Sequence, residues 1–119
     1  MSIYEIKDDV AIFHEGVTKI GRKTFKDCTW LKGIIIPASV TEIEANAFYC
    51  CTSLESIVVA EGNPVYDSRE SCNAIIETKT NTLIYGCKST IIPESVTEIG
   101  GSAFYHCTSL ERVSSFQSR

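Results

Sequence analysis

Val40-Thr41-Glu42-Ile43-Glu44, running on to Phe48-Tyr49-Cys50-Cys51-Thr52-Ser53-Leu54, is a phrase that the chain uses three times. It stands 23 residues earlier as Val17-Thr18-Lys19-Ile20-Gly21 to Phe25-Lys26-Asp27-Cys28-Thr29-Trp30-Leu31. It returns 56 residues later as Val96-Thr97-Glu98-Ile99-Gly100 to Phe104-Tyr105-His106-Cys107-Thr108-Ser109-Leu110. A unit of 23 residues cannot enclose a core of its own, so successive units must stack and bury one another's apolar positions. The expected ladders are Val17, Val40, Val96; Ile20, Ile43, Ile99; Phe25, Phe48, Phe104; and Leu31, Leu54, Leu110.

The first two copies lead into short β-branched runs, Ile34-Ile35-Ile36 before Pro37 and Ile57-Val58-Val59 before Ala60. Such runs suit strands of three or four residues. Ala11-Ile12-Phe13-His14-Glu15-Gly16 aligns with Ile34 to Ser39, which places a degenerate half-repeat at about 10–16 ahead of repeats at 17–39, 40–62 and 96–116. The interval of 56 residues leaves an insertion at about 63–95. Within it, Asn73–Glu77 and Thr82–Gly86 flank Thr78-Lys79-Thr80-Asn81, where Asn81 tolerates a left-handed backbone, and this predicts a β-hairpin. Asn63-Pro64 and the polar Asp67–Ser71 read as turn and loop.

The phrase Ile-Pro-x-Ser-Val-Thr-x-Ile-(Gly)-x-x-Ala-Phe-x-x-Cys-x-Ser-Leu, seen in Ile36–Leu54 and Ile92–Leu110, resembles the BspA-like leucine-rich repeat. The segment from Cys72 to Cys87 resembles an element inserted in that family. The likeness covers about Val10 to Val113. It implies a repeat solenoid: a right-handed β/α superhelix with one short parallel strand per coil and irregular or short helical turns opposite. It also implies a bacterial or protist surface or secreted protein used in adhesion or matrix binding. The sequence departs from the pattern where Glu44 replaces Gly, Thr24 replaces Ala and Trp30 replaces Ser, and the tail from Ser114 to Arg119 loses the strand pattern.

With 119 residues the chain is the size of one domain. Fifteen acidic against eleven basic side chains, with no basic cluster, argue against nucleic acid as a partner. No apolar run approaches a membrane span, the longest being cut by Pro37, so membrane insertion is not expected. Met1–Asp9 lacks the basic and hydrophobic regions of a secretory signal. That feature and the six cysteines suit a cytoplasmic setting, against the extracellular one that the resemblance implies.

The cysteines invite metal or disulfide readings, and their spacing decides most of them. Cys28, Cys51 and Cys107 share one repeat position and should stack as small buried hydrophobes. Cys50-Cys51 and His106-Cys107 are adjacent pairs without the separation that lets one turn present two zinc ligands, so no metal is expected. Cys72 and Cys87 lie symmetrically about the proposed hairpin and form the one candidate disulfide. A register centred on Lys79-Thr80 sets them opposite each other, whereas a three-residue loop containing Asn81 sets Cys87 opposite Asn73. His14 falls at the surface-turn position that Pro37 and Pro93 hold in other coils. No catalytic constellation and no cofactor-binding motif is present, and no enzyme is expected.

Alternation in the strands sends Ile34 and Ile36 inward and Ile35 outward. By alignment the outward row is Ile12, Ile35, Val58 and Ile91, an apolar stripe suited to protein contact. Plain strand propensity, or cover by the inserted hairpin, accounts for the same row. Trp30, Tyr49 and Tyr105 are candidate aromatic anchors, with Trp30 equally placed to shield the first coil. The expected function is a non-catalytic protein-binding or adhesion module. The alternative is a structural unit that self-assembles into homo-oligomers through uncapped ends.

Overall fold

The computed structural model describes residues 3–103 except 23, 26, 27, 45, 46, 49, 50 and 102. Its first sheet holds β1 (Tyr4–Lys7), β2 (Val10–Phe13), β4 (Gly33–Ile36) and β6 (Ser56–Val59), in that order. Strands β2, β4 and β6 are parallel and in register at the 23-residue spacing: Ala11 pairs with Ile34 and Ile34 with Ile57. A second strip, β3 (Lys19–Ile20) beside β5 (Glu42–Ile43), pairs Ile20 with Ile43 at the same spacing. The expected stacking is therefore present through the first two windings.

The turns repeat as faithfully as the strands. Cys28 N–H donates to Phe25 O and Leu31 N–H to Cys28 O; 23 residues on, Cys51 donates to Phe48 O and Leu54 to Cys51 O. Tight three-residue turns at fixed positions leave Phe25, Leu31, Phe48 and Leu54 pointing into the core, each at most 1% exposed. The aromatic rings make a continuous stack. Tyr4 and Phe13 lie 5.0 and 5.7 Å from Phe25, Phe25 lies 5.4 Å from Phe48, and Phe48 lies 4.8 Å from Tyr85, all centroid to centroid. Glu44, standing where the repeat carries Gly, accepts the Arg22 N–H of the preceding winding at 2.9 Å through Oε1. That cross-winding bond is a physical reason for the departure.

β1 was not anticipated. It folds back antiparallel on β2 through Asp8-Asp9, both with positive φ (53° and 64°), the signature of a two-residue primed turn. Tyr4 thereby covers the aromatic stack. The end of the sheet expected to be uncapped thus carries an antiparallel strand.

The ladders do not continue unbroken into the third copy. Counting 23 residues from Val40 and Ile43 reaches Asn63 and Tyr66, and the structure still follows the period there. Asn63 N–H donates to Ala60 O, as Val40 does to Pro37 O and Val17 to His14 O. Beyond that point β7 (Tyr66–Asp67) leads through a 3-10 turn (Arg69–Ser71) into β8 (Ile75–Glu77) and β9 (Thr82–Tyr85). The hairpin β8–β9 is the expected one, with Asn81 at φ 57°. The strand β7 and the 3-10 turn stand where the sequence pattern predicts turn and loop.

The sheet β7-β8-β9-β10, where β10 is Glu98–Ile99, forms a wall between two cores. Ile75, Tyr85, Tyr66 and Cys87 face the first core, with Phe48 and Ile57; Ile76, Leu83, Ala74 and Cys72 face a second one with Val96, Ile99 and Ala103. A register shift in the pairing of β8 with β9 makes Ile84 the extra residue, so that Tyr85 and Leu83, two apart, point to opposite sides. Ile99 pairs with Leu83 where Ile43 was expected, and Val96 packs in the second core away from Val40. Phe104, Cys107 and Leu110 lie outside the described residues.

An ionic clamp ties this wall together. Arg69 donates through Nε and Nη2 to the two Asp67 carboxylate oxygens at 2.8 and 2.7 Å, and through Nη1 to Asn81 Oδ1 at 2.7 Å and Ser95 Oγ at 3.1 Å. Partial burial of Asp67 opposes its charge, yet the bonds from Arg69 and from Thr78 Oγ1 outweigh that and hold its carboxyl below the ordinary range. A folded-state pKa below the unfolded one means stabilisation present above about pH 4 and lost as the pH falls through the folded value. Asp67→Asn should therefore be less stable than wild type at neutral pH and flatten the loss of stability below about pH 4, as read from urea unfolding across that window.

Candidate protein-interaction surface

The outward face of the first sheet follows from strand parity. In β4, Gly33, Ile34 and Ile36 are buried and Ile35 is exposed; β2 and β6 repeat the pattern at Ile12 and Val58. Ile12, Ile35 and Val58 are direct cross-strand neighbours, 38, 38 and 45% exposed. At about 4.8 Å per strand they make a row roughly 10 Å long, held by backbone pairing and by the buried side chains behind it. Next to it Gly33 lets the strands close up: a Cβ there would meet Val10 Cγ2 at 3.1 Å. Lys32 and Glu55 are exposed at the entry to β4 and β6, and Glu55 reaches Lys88 at 3.6 Å.

Ile91 does not join this row. The outer edge of β6 is occupied by side chains of the insertion: Asn73 Oδ1 accepts the Ile57 N–H at 3.4 Å and Ser68 Oγ accepts the Val59 N–H at 3.0 Å. Ser68 Oγ in turn donates to Ala74 O at 2.6 Å. Ile91 lies beyond that segment, its N–H bonded to Cys72 O at 3.1 Å, and is 59% exposed outside any strand. Alignment of repeat phrases could not reveal this, because two polar side chains replace the next strand. Trp30 is 46% exposed in the turn before β4. Tyr49 and Tyr105 fall outside the described residues.

Cys72 and Cys87 are buried free thiols, and no disulfide joins them. The register shift explains why: the two residues belong to cores on opposite sides of the wall. Cys87 Sγ donates to Asn73 O at 3.4 Å, and the buried Thr90 hydroxyl donates to the same carbonyl at 2.6 Å while accepting the Cys87 N–H at 2.8 Å. Burial pushes both thiols above the ordinary cysteine range, which lowers their thiolate content. Cys28 and Cys51 are buried, as expected for the shared repeat position, whereas Cys50 lies outside the described residues. His14 is exposed, 3.8 Å from Glu5. Among the described residues no group of three or more His, Cys, Asp or Glu is placed to share a metal ion, and no helix is long and apolar enough to cross a membrane.

Comparison with known proteins agrees with this architecture. The profile of the BspA type leucine-rich repeat region matches residues 9–114 in six copies. A leucine-rich repeat protein from Eubacterium ventriosum, known from a crystal structure, superposes with a TM-score of 0.62 at 24% identity over 78% of this chain. The chain spans 26% of that protein's length. No curated protein matches. Leucine-rich repeats of this kind form protein-interaction or structural modules. With matched repeats across most of its length and their stacking in the fold, the chain belongs to the BspA-type leucine-rich repeat family.

Proposed function

We propose that the chain is a non-catalytic protein-binding module, a single domain within a right-handed solenoid that serves adhesion at a bacterial cell surface or in secreted form. The observation that carries this reading is the row Ile12, Ile35 and Val58: apolar, in register and exposed on three strands whose inward side chains, Ala11, Phe13, Ile34, Ile36, Ile57 and Val59, are buried. Apolar side chains held by a pre-formed sheet need little further ordering on association, so their burial favours binding with a small entropic cost. Trp30 adds a large apolar anchor presented by the first winding. Surface display rests on the habit of the family, and no property of the face names the target.

The test is recovery of bound proteins from host and bacterial extracts, followed by titration of the purified chain with the purified partner. Ile35→Asp and Val58→Asp should each weaken that binding by about tenfold or more while leaving the unfolding midpoint nearly unchanged, since both side chains already face water. Partner affinity unaffected by both substitutions would remove the sheet face from the account.

A further inference from the structure

The outer edge of β1 carries information that partner binding through the sheet face does not use. In the β1–β2 hairpin, Lys7 and Val10 close the two-residue turn and Glu5 faces Ile12, while Ile3 O accepts the His14 N–H at 3.1 Å. Bonded pairs therefore alternate at 3, 5 and 7, and the N–H and C=O of Ile6 point away from β2, along an edge that no other strand among the described residues pairs with. The Ile6 side chain lies on the core side of the sheet, the same side as Tyr4, yet is 40% exposed at the margin. Glu5 and Lys7 project from the opposite face and are exposed.

We propose that β1 is a self-association edge: two copies of the chain pair antiparallel through Tyr4–Lys7, with Ile6 opposite Ile6 of the second copy. Four registers have the parity that the outward Ile6 groups require, and pairing Tyr4 with Tyr4 sets Glu5 opposite Ile3, so that no charge pair forms. Pairing Glu5 with Glu5 sets acid against acid, and pairing Lys7 with Lys7 sets base against base. Pairing Ile6 with Ile6 sets Glu5 opposite Lys7 twice, once on each side of the two-fold axis. The same register brings the two exposed Ile6 side chains together on the core side and exchanges two backbone hydrogen bonds at the axis. Both faces of the edge strand thus select one pairing. Charges on an edge strand ordinarily keep other strands away; here their order admits a copy of itself. The product is an eight-stranded sheet, since each copy contributes the four strands β1, β2, β4 and β6.

Sedimentation equilibrium of the full chain should show a weak monomer–dimer exchange, with a Kd on the order of 100 µM as befits a small edge contact. Glu5→Lys and Lys7→Glu should each weaken dimerisation about tenfold or more by turning two attractive pairs into two repulsive ones. The exchange Glu5→Lys/Lys7→Glu should restore it to within about threefold of wild type, because the pairs are re-formed with the signs reversed. A chain that is monomeric at about 1 mM, ten times that Kd, would overturn the proposal. So would a dimer indifferent to Glu5→Lys, a double exchange that fails to restore association, or a dimer abolished by Ile35→Asp alone. The partner-binding reading stands or falls separately, on Ile35 and Val58 titrations with a heterologous protein.

Discussion

Phe48→Ala should destabilise the fold by about 3–5 kcal/mol, the range for emptying a fully buried aromatic site. Phe48 is 0% exposed and sits between Phe25 and Tyr85, so its loss opens a void between the second winding and the inserted wall. The void cannot close cheaply. Tyr85 is pinned by its hydroxyl, which accepts the Ala47 N–H at 2.9 Å and donates to Glu44 O at 3.1 Å, and Phe25 is wedged against Tyr4 and Phe13. Domains of this kind have about 5–15 kcal/mol of stability in all, so the variant should populate unfolded chain at modest urea concentrations. Equilibrium unfolding followed by Trp30 fluorescence and by far-ultraviolet circular dichroism checks the figure.

Asn63→Ala should cost about 2–3 kcal/mol although it removes almost no apolar surface. Asn63 stands where the two earlier windings carry Val17 and Val40, and its amide makes four bonds that a valine cannot make. Nδ2 donates to Pro37 O at 3.0 Å and Val40 O at 2.8 Å, while Oδ1 accepts the N–H groups of Val65 and Tyr66, both at 2.8 Å. It joins the second winding to the first strand of the wall. Asn63→Asp keeps the accepting half and sets a carboxylate against two carbonyl oxygens, so at neutral pH it should be at least as damaging. A valine that restored full stability at this position would show that the amide bonds carry nothing.

Much of this was readable from the chain because repetition makes a local phrase report a non-local contact. Phe25 and Phe48 are 23 residues apart and 5.4 Å apart for the same reason that the phrase recurs. The outward turn of Ile35 follows from period-two alternation, and that of Ile12 and Val58 from their alignment with it at the repeat spacing. The hairpin at 78–81 followed from Asn81. What escaped reading lacked a local signal. β1 depends on two successive aspartates taking left-handed backbone, which looks like an ordinary polar turn until its partner strand is known. The placement of Ile91 failed because Ser68 and Asn73 side chains occupy the sheet edge, a contact that no repeat phrase encodes. The opposed directions of Leu83 and Tyr85 rest on the extra residue Ile84, and strict alternation assigns them the same side. The same shift separates Cys72 from Cys87. In the candidate surface, alternation places Ile35 and alignment extends the row to Ile12, Val58 and Ile91, of which Ile12 and Val58 lie beside Ile35 and Ile91 does not.

Nuclear Overhauser contacts in the isotopically labelled chain test the stacking most directly. Backbone cross-peaks should link Ala11 with Ile34 and Ile34 with Ile57, and ring cross-peaks should link Phe25 with Phe48 and Phe48 with Tyr85. A spectrum in which Ile34 meets neither Ala11 nor Ile57, or in which the Phe48 ring touches neither Phe25 nor Tyr85, would contradict that stacking.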